Sequence, residues 1–130
     1  MERYLPTGNE FLSLPKINEQ TAGIEDITYL SMGHKGMIEI RGGDDLPLIR
    51  PFLQVDGHRL PLTQMQWSRD HFWLPLLKGK AGKMNFSMTI LPPIGERGFA
   101  IRMELEGAAR VPIAWGLEGC WESSWHCIKE

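Results

Sequence analysis

Arg97 to Trp121 read RGFAIRMELEGAARVPIAWGLEGCW: apolar and polar residues alternate, stop at a run of small residues, and alternate again. Side chains on a strand point to opposite faces with a period of two. Phe99, Ile101, Met103 and Leu105 therefore share one face, while Arg102, Glu104 and Glu106 share the other. Val111, Ile113, Trp115 and Leu117 repeat the pattern beyond Gly107 to Arg110. The stretch is expected to form a β-hairpin whose two apolar rows face one core. Strands with one buried and one wet face build antiparallel sheets that pack on each other.

The rest of the chain supports the same class. From Ile24, the runs IEDITYLSMG and KGMIEIRGG form an expected hairpin through Gly33, His34, Lys35 and Gly36. In LIRPFLQVDGHRLPL, Asp56-Gly57 sits between alternating segments; this dipeptide suits a type I′ turn, which needs positive φ at both central positions. Pro51 and Pro61 remove ladder donors and belong at an edge, a strand start or a bulge. Gly79 to Lys83 reads as a turn, and Phe86, Met88 and Ile90 mark one face of the strand that follows. Residues 1–23 read as irregular. Thr7 and Glu10 have capping-box spacing, but Pro15 limits any N-terminal helix to a short one. The fold class is thus all-β, an antiparallel β-sandwich of about seven strands, with room for a short N-terminal helix.

At 130 residues the chain is read as a single domain, residues 1–130, large enough to enclose a core without metal or disulfide staples. A net charge of −2 with scattered Lys78, Lys80 and Lys83 supplies no clustered basic face, which argues against nucleic acid as a partner. No stretch is apolar enough to span a bilayer, and MERYLPTGNEF carries no signal-length apolar run, so a cytoplasmic protein without a membrane partner is expected. In that compartment Cys120 and Cys127 are expected as free thiols.

Several motifs fail on inspection. Gly79-Lys80-Ala81-Gly82-Lys83 has Leu77 where a phosphate-binding loop needs its first Gly and Met84 where it needs Ser or Thr. His34, His58, His71 and His126 share no ligand spacing, and Asp44-Asp45 offers too few oxygens for a divalent cation. No metal, cofactor or catalytic residue is therefore assigned. Asn85-Phe86-Ser87 matches a glycosylation acceptor but falls in an expected strand.

Gln66 to Trp73, QWSRDHFW, interleaves three aromatics with Arg, Asp and His. A sugar ring packs its C–H face on an aromatic and hydrogen-bonds polar neighbours through its hydroxyls; the same aromatics can instead fill a core or seal a domain interface. Trp67, Arg69, Asp70 and Trp73 are the candidate carbohydrate or domain-interface residues.

MELEGAARVPIAWGLEGCW, from Met103 to Trp121, resembles the N-terminal β-sandwich that precedes the helical toroid of many bacterial glycoside hydrolases and phosphorylases. Gly116, Gly119 and Trp121 approximate the Gly-x-Gly-x-Trp-like ending of those modules, and the hairpin PFLQVDGHRLPL is compatible with them. The resemblance implies a bacterial carbohydrate-active parent whose acidic catalytic residues lie in a helical domain beyond this chain. It implies a non-catalytic module, a fragment of a larger protein, that packs against that catalytic domain of the same parent. The alternative is a freestanding module that binds carbohydrate or protein. An uncovered interface would also make the isolated module self-associate.

Overall fold

The computed structural model describes residues 3–30, 37–71, 73–107, 110–121 and 127–128. Within them the chain is all-β, with eleven strands of three residues or more and a two-residue β12. No helix among the described residues is long and apolar enough to cross a membrane.

The N-terminal segment forms a strand pair rather than an irregular or helical stretch. β1 (Tyr4–Gly8) pairs antiparallel with β2 (Leu12–Asn18). The turn between them is set by Asn9, not Thr7: its Oδ1 accepts from the backbone N–H groups of Phe11 at 2.9 Å and Leu12 at 3.0 Å. An Asn side chain that bonds backbone a few residues on competes with helix and favours such turns. Pro15 lies where the β1–β2 register slips by one residue, between the pairs Leu5↔Ile17 and Thr7↔Leu14. A bulge accommodates the missing N–H and flips the alternation, so Leu12, Leu14 and then Ile17 all face inward.

β3 (Asp26–Tyr29) and β4 (Met37–Arg41) pair as the sequence expects, with their connection at 31–36 outside the described residues. β12 (Cys127–Ile128) pairs with β4 and completes a five-stranded sheet, β1-β2-β3-β4-β12. A second sheet, β10-β9-β8-β7, is a meander of β7 (Leu62–Asp70), β8 (Leu74–Ala81), β9 (Met84–Leu91) and β10 (Ala100–Glu106). The Lys- and Gly-rich segment is mostly strand: Gly79, Lys80 and Ala81 belong to β8, and only Gly82-Lys83 turns. The third sheet is β11-β5-β6, from β5 (Arg50–Val55), β6 (His58–Leu60) and β11 (Ile113–Glu118). Asp56 at φ 52° and Gly57 at φ 78° give the expected turn between β5 and β6. Pro51 precedes the β5 residues that pair with β6, and Pro61 separates β6 from β7.

The core lies where these sheets meet. Leu12, Leu14, Ile17, Ile24 and Ile27 from the first sheet and its link, Leu77, Phe86, Met88 and Ile90 from the second, and Leu53 from the third form one buried cluster. Two sets of polar ties fasten the first two sheets together. Asn9 donates to the carbonyls of Pro93 at 2.6 Å and Glu96 at 2.8 Å, beside Arg97, whose guanidinium lies 5.2 Å from the Phe11 ring centre. The second set involves Trp67 and Trp73.

The hairpin expected across 97–121 does not exist. The alternation on each half is real, but β10 pairs with β9 through Met103↔Met88 and Leu105↔Phe86, whereas β11 pairs with β5 through Trp115↔Leu53. Six residues, 107–112, separate the two strands, more than the tight two-residue turn of a hairpin whose strands pair directly. Pro112 accepts instead from the Asp56 N–H at 2.9 Å, which draws the chain to the β5–β6 turn. The apolar rows therefore do not share a core. Phe99, Ile101, Met103 and Leu105 pack against it, while Val111, Ile113, Trp115 and Leu117 are 38–49% exposed.

Candidate functional site

The expected site residues of β7 and its loop are brought to the seam between the first two sheets. Trp67 lies on β7, half-buried against the core, and its indole Nε1–H donates to the Glu19 carbonyl at 2.7 Å. Arg69, two residues on and on the same face, donates through Nη1 to the Pro6 carbonyl at 2.7 Å and the Trp73 carbonyl at 3.2 Å. The Trp73 carbonyl also accepts from the Thr7 hydroxyl at 2.6 Å. Arg69 and Trp73 are thus brought together over β1, and Trp67 sits further along β2. His71, at φ 48°, turns the chain between β7 and β8, so Trp67 and Trp73 do not lie on one strand. Asp70 pairs through its backbone with Leu74; its side chain lies outside the described ones, as does Phe72. Directional groups that could serve a ligand are here spent on joining two sheets. Trp67 also lines an open hollow of about 780 Å³ with Arg3, Glu19, Gln20, Met65 and Gln66.

Strand β11 carries a different kind of surface. Ile113, Trp115 and Leu117 point to one side of a strand that pairs only with β5 among the described residues, where its other edge has no strand beside it. The opposite face is tightly built. A Cβ on Gly116 would fall 2.8 Å from the Phe52 ring, so the strand lies directly on that side chain. Gly119 is more constrained, since a Cβ there would fall 1.8 Å from the Leu48 carbonyl oxygen. Trp121, just beyond, is 71% exposed.

A charged cluster that sequence reading missed anchors the same strand. Glu118 Oε1 accepts from Arg50 Nε at 3.1 Å and Nη2 at 2.9 Å, and from Arg59 Nη1 at 3.0 Å; its Oε2 accepts from Arg59 Nη2 at 2.8 Å. These hydrogen bonds, with Arg59 foremost, hold the Glu118 carboxyl down at about 2. Arg59 also lies 3.9 Å over the Phe52 ring centre. The only trace of this cluster in the sequence is opposite charge at Arg50 and Glu118, which becomes meaningful once the β5–β11 register places them opposite one another.

A second missed feature is Asp26 on β3, 5% exposed, with Oδ1 lacking any partner among the described residues. Burial, and then a hydrogen bond and like charge with Glu39 on β4, push its carboxyl up to about 6. Glu39 is engaged by Arg41 at 3.0 Å. Among the described residues no three His, Cys, Asp or Glu stand close enough to hold a metal ion. Cys120 is a free thiol, and the side chain of Cys127 lies outside those described. No family model matches this chain, and neither a curated protein nor a solved structure matches it.

Proposed function

We propose that this chain is a non-catalytic β-sandwich module of a bacterial carbohydrate-active protein of glycoside-hydrolase type, and that it docks through β11 against a further domain. The observation that carries the docking is the apolar row Ile113, Trp115 and Leu117 on a strand that pairs along one edge alone among the described residues. Natural edge strands are usually blunted by charge, Pro or a bulge, and contiguous exposed apolar surface marks an interaction site. Here the row holds no charge; the one carboxylate of the strand, Glu118, lies on its opposite face, where two guanidinium groups already engage it. The carbohydrate-active parent is supported by the strand rhythm of Met103 to Trp121 with Gly116, Gly119 and Trp121. In such a parent the paired carboxylates that cleave a glycosidic bond belong to the partner domain.

Sedimentation equilibrium tests the docking face. The chain by itself should associate as its concentration rises, and Ile113→Glu with Leu117→Glu should return it to monomer while its circular dichroism is unchanged. A parent chain that stays monomeric throughout, with no fluorescence change of an apolar dye in its presence, would sink the reading. Purified chain should also leave a panel of aryl glycosides unhydrolysed; turnover abolished by one Asp or Glu substitution would overturn the non-catalytic role.

A further inference from the structure

The turn between β5 and β6 holds reactive groups that its structural role leaves unused. Asp56 and Gly57 are its two central residues, at φ 52° and 78°, and both are exposed. The Asp56 N–H donates to the Pro112 carbonyl at 2.9 Å and anchors the turn, whereas the Gly57 N–H has no backbone acceptor among the described residues. The Asp56 carboxyl makes no hydrogen bond or ion pair with another described residue. Nothing lies within 4 Å of where a Cβ on Gly57 would stand, so the space beside its amide is open. This is the one Asp-Gly pair in the sequence, and there is no Asn-Gly.

An unengaged carboxyl next to an unhindered amide can close a ring within the chain. Gly57 N bonds to Asp56 Cγ, and the carboxyl hydroxyl leaves with the amide proton as one water. The product is a five-membered imide of Asp56 Cγ, Cβ, Cα and C with Gly57 N. Glycine offers this nitrogen with no side chain to crowd the closure. Hydrolysis then takes up one water and breaks one of the two carbonyl C–N bonds. Cleavage at Cγ restores Asp56; cleavage at its main-chain carbonyl leaves the backbone running through Cβ and Cγ, an isoaspartyl link. Mass and oxidation state are unchanged.

We infer that the β5–β6 turn is a modification site, where Asp56 isomerises to isoaspartate in the folded chain and thereby releases Arg59 from Glu118. The inference is independent of docking at β11 and of the parent's activity. An isoaspartyl link adds one methylene to the main chain, and a two-residue turn that requires positive φ at both centres does not absorb it. The Val55↔His58 pair next to the turn is then broken. β6 is three residues long and pairs with β5 alone among the described residues, so it has little else to hold it. Arg59 at its centre makes two hydrogen bonds to Glu118 and lies over Phe52, and both contacts depend on where the turn places it.

Peptide mapping of the folded chain after prolonged warm incubation tests the site. Trypsin should release Gly42 to Arg59 as one peptide, because Arg50 precedes Pro51. A second form of equal mass should accumulate, be methylated by isoaspartyl methyltransferase, and be placed at Asp56, rather than at Asp44 or Asp45, by electron-transfer fragmentation. Incubation should also lower the thermal midpoint of the parent at neutral pH, by less in Glu118→Gln, and not at all in Asp56→Gly, which keeps a residue suited to positive φ. The peptide result needs no variant to fold. No isomer in the folded chain under conditions that isomerise the free peptide, or isomer chiefly at Asp44 or Asp45, would overturn the site. Isomer at Asp56 with equal midpoint losses in the parent and in Glu118→Gln would overturn the release of Arg59.

Discussion

Glu118 grips Arg59 with both carboxylate oxygens, at 3.0 and 2.8 Å, and so fastens β11 to β6 across the intervening β5. Bidentate pairing of this kind fixes geometry better than a single ion pair, although partial exposure limits what it adds to stability. It holds the apolar row of β11 in place without covering it.

The pH response of this clamp has a definite sign. Because the folded-state carboxyl lies at about 2 against an ordinary value of 4.5, the stability it contributes is present above 4.5 and is lost as pH falls toward 2. Glu118→Gln should lower the thermal midpoint at neutral pH, and the gap from the parent should narrow progressively in acid. A gap that stays constant from neutral to acidic pH would show that the carboxylate is not the source.

Asp26 behaves oppositely. Its folded-state carboxyl lies at about 6, above the ordinary 3.8, so the folded chain holds a proton that the unfolded chain has released. Stability from this group is full below 3.8 and is lost as pH rises through about 6. Asp26→Asn removes the buried charge and should stabilise the protein at neutral pH by about 3 kcal/mol, an order of magnitude set by the size of the shift. Chemical denaturation across this range checks it; a variant that is less stable than the parent at neutral pH, with the parent's slope retained, would refute the assignment.

Trp67 separates packing from hydrogen bonding within the seam. Trp67→Phe keeps a ring against the core but leaves the Glu19 carbonyl without its indole donor, and should cost about 1 kcal/mol. Trp67→Ala also empties the space and should cost about 3 kcal/mol. Equal losses for both substitutions, measured by urea denaturation, would show that the seam depends on the hydrogen bond rather than on packing.

The class of fold was legible because alternation is a local property: Phe86, Met88 and Ile90 had to face one side wherever β9 was placed. Asp56-Gly57 likewise fixed a turn by its own backbone preference. Partner choice is not local. The rows of β10 and β11 look alike in sequence, yet one lies against the core and the other remains open, because the link 107–112 carries β11 to β5. The N-terminal strands were hidden by Pro15, whose bulge breaks the period that would have marked β2. Among the candidate residues, Trp67 and Arg69 were found by composition, but their backbone partners Glu19 and Pro6 follow from tertiary placement. The Glu118 cluster and Asp26 were missed for the same reason.

Two glycines that end the resemblance, Gly116 and Gly119, offer a graded test of how β11 is held. A methyl group on Gly116 would meet the tip of the Phe52 ring at 2.8 Å, and a side chain can swing away at modest cost. A methyl group on Gly119 would meet the Leu48 carbonyl oxygen at 1.8 Å, which is backbone flanked by the Cys120 N–H to Pro47 carbonyl bond at 3.0 Å. That backbone cannot yield without pulling the end of β11 from its neighbour. Gly119→Ala should therefore destabilise by more than Gly116→Ala, with overpacking of about 1–3 kcal/mol expected for the latter. The two should also differ in character. Displacing Phe52 disturbs the ring beneath Arg59 and should weaken the Glu118 clamp, making the loss at Gly116 smaller in acid, where that clamp is already released. The loss at Gly119 should be independent of pH, and melting curves of both variants at neutral and acidic pH that showed the reverse order would mean that β11 is held by its side chains rather than by its backbone.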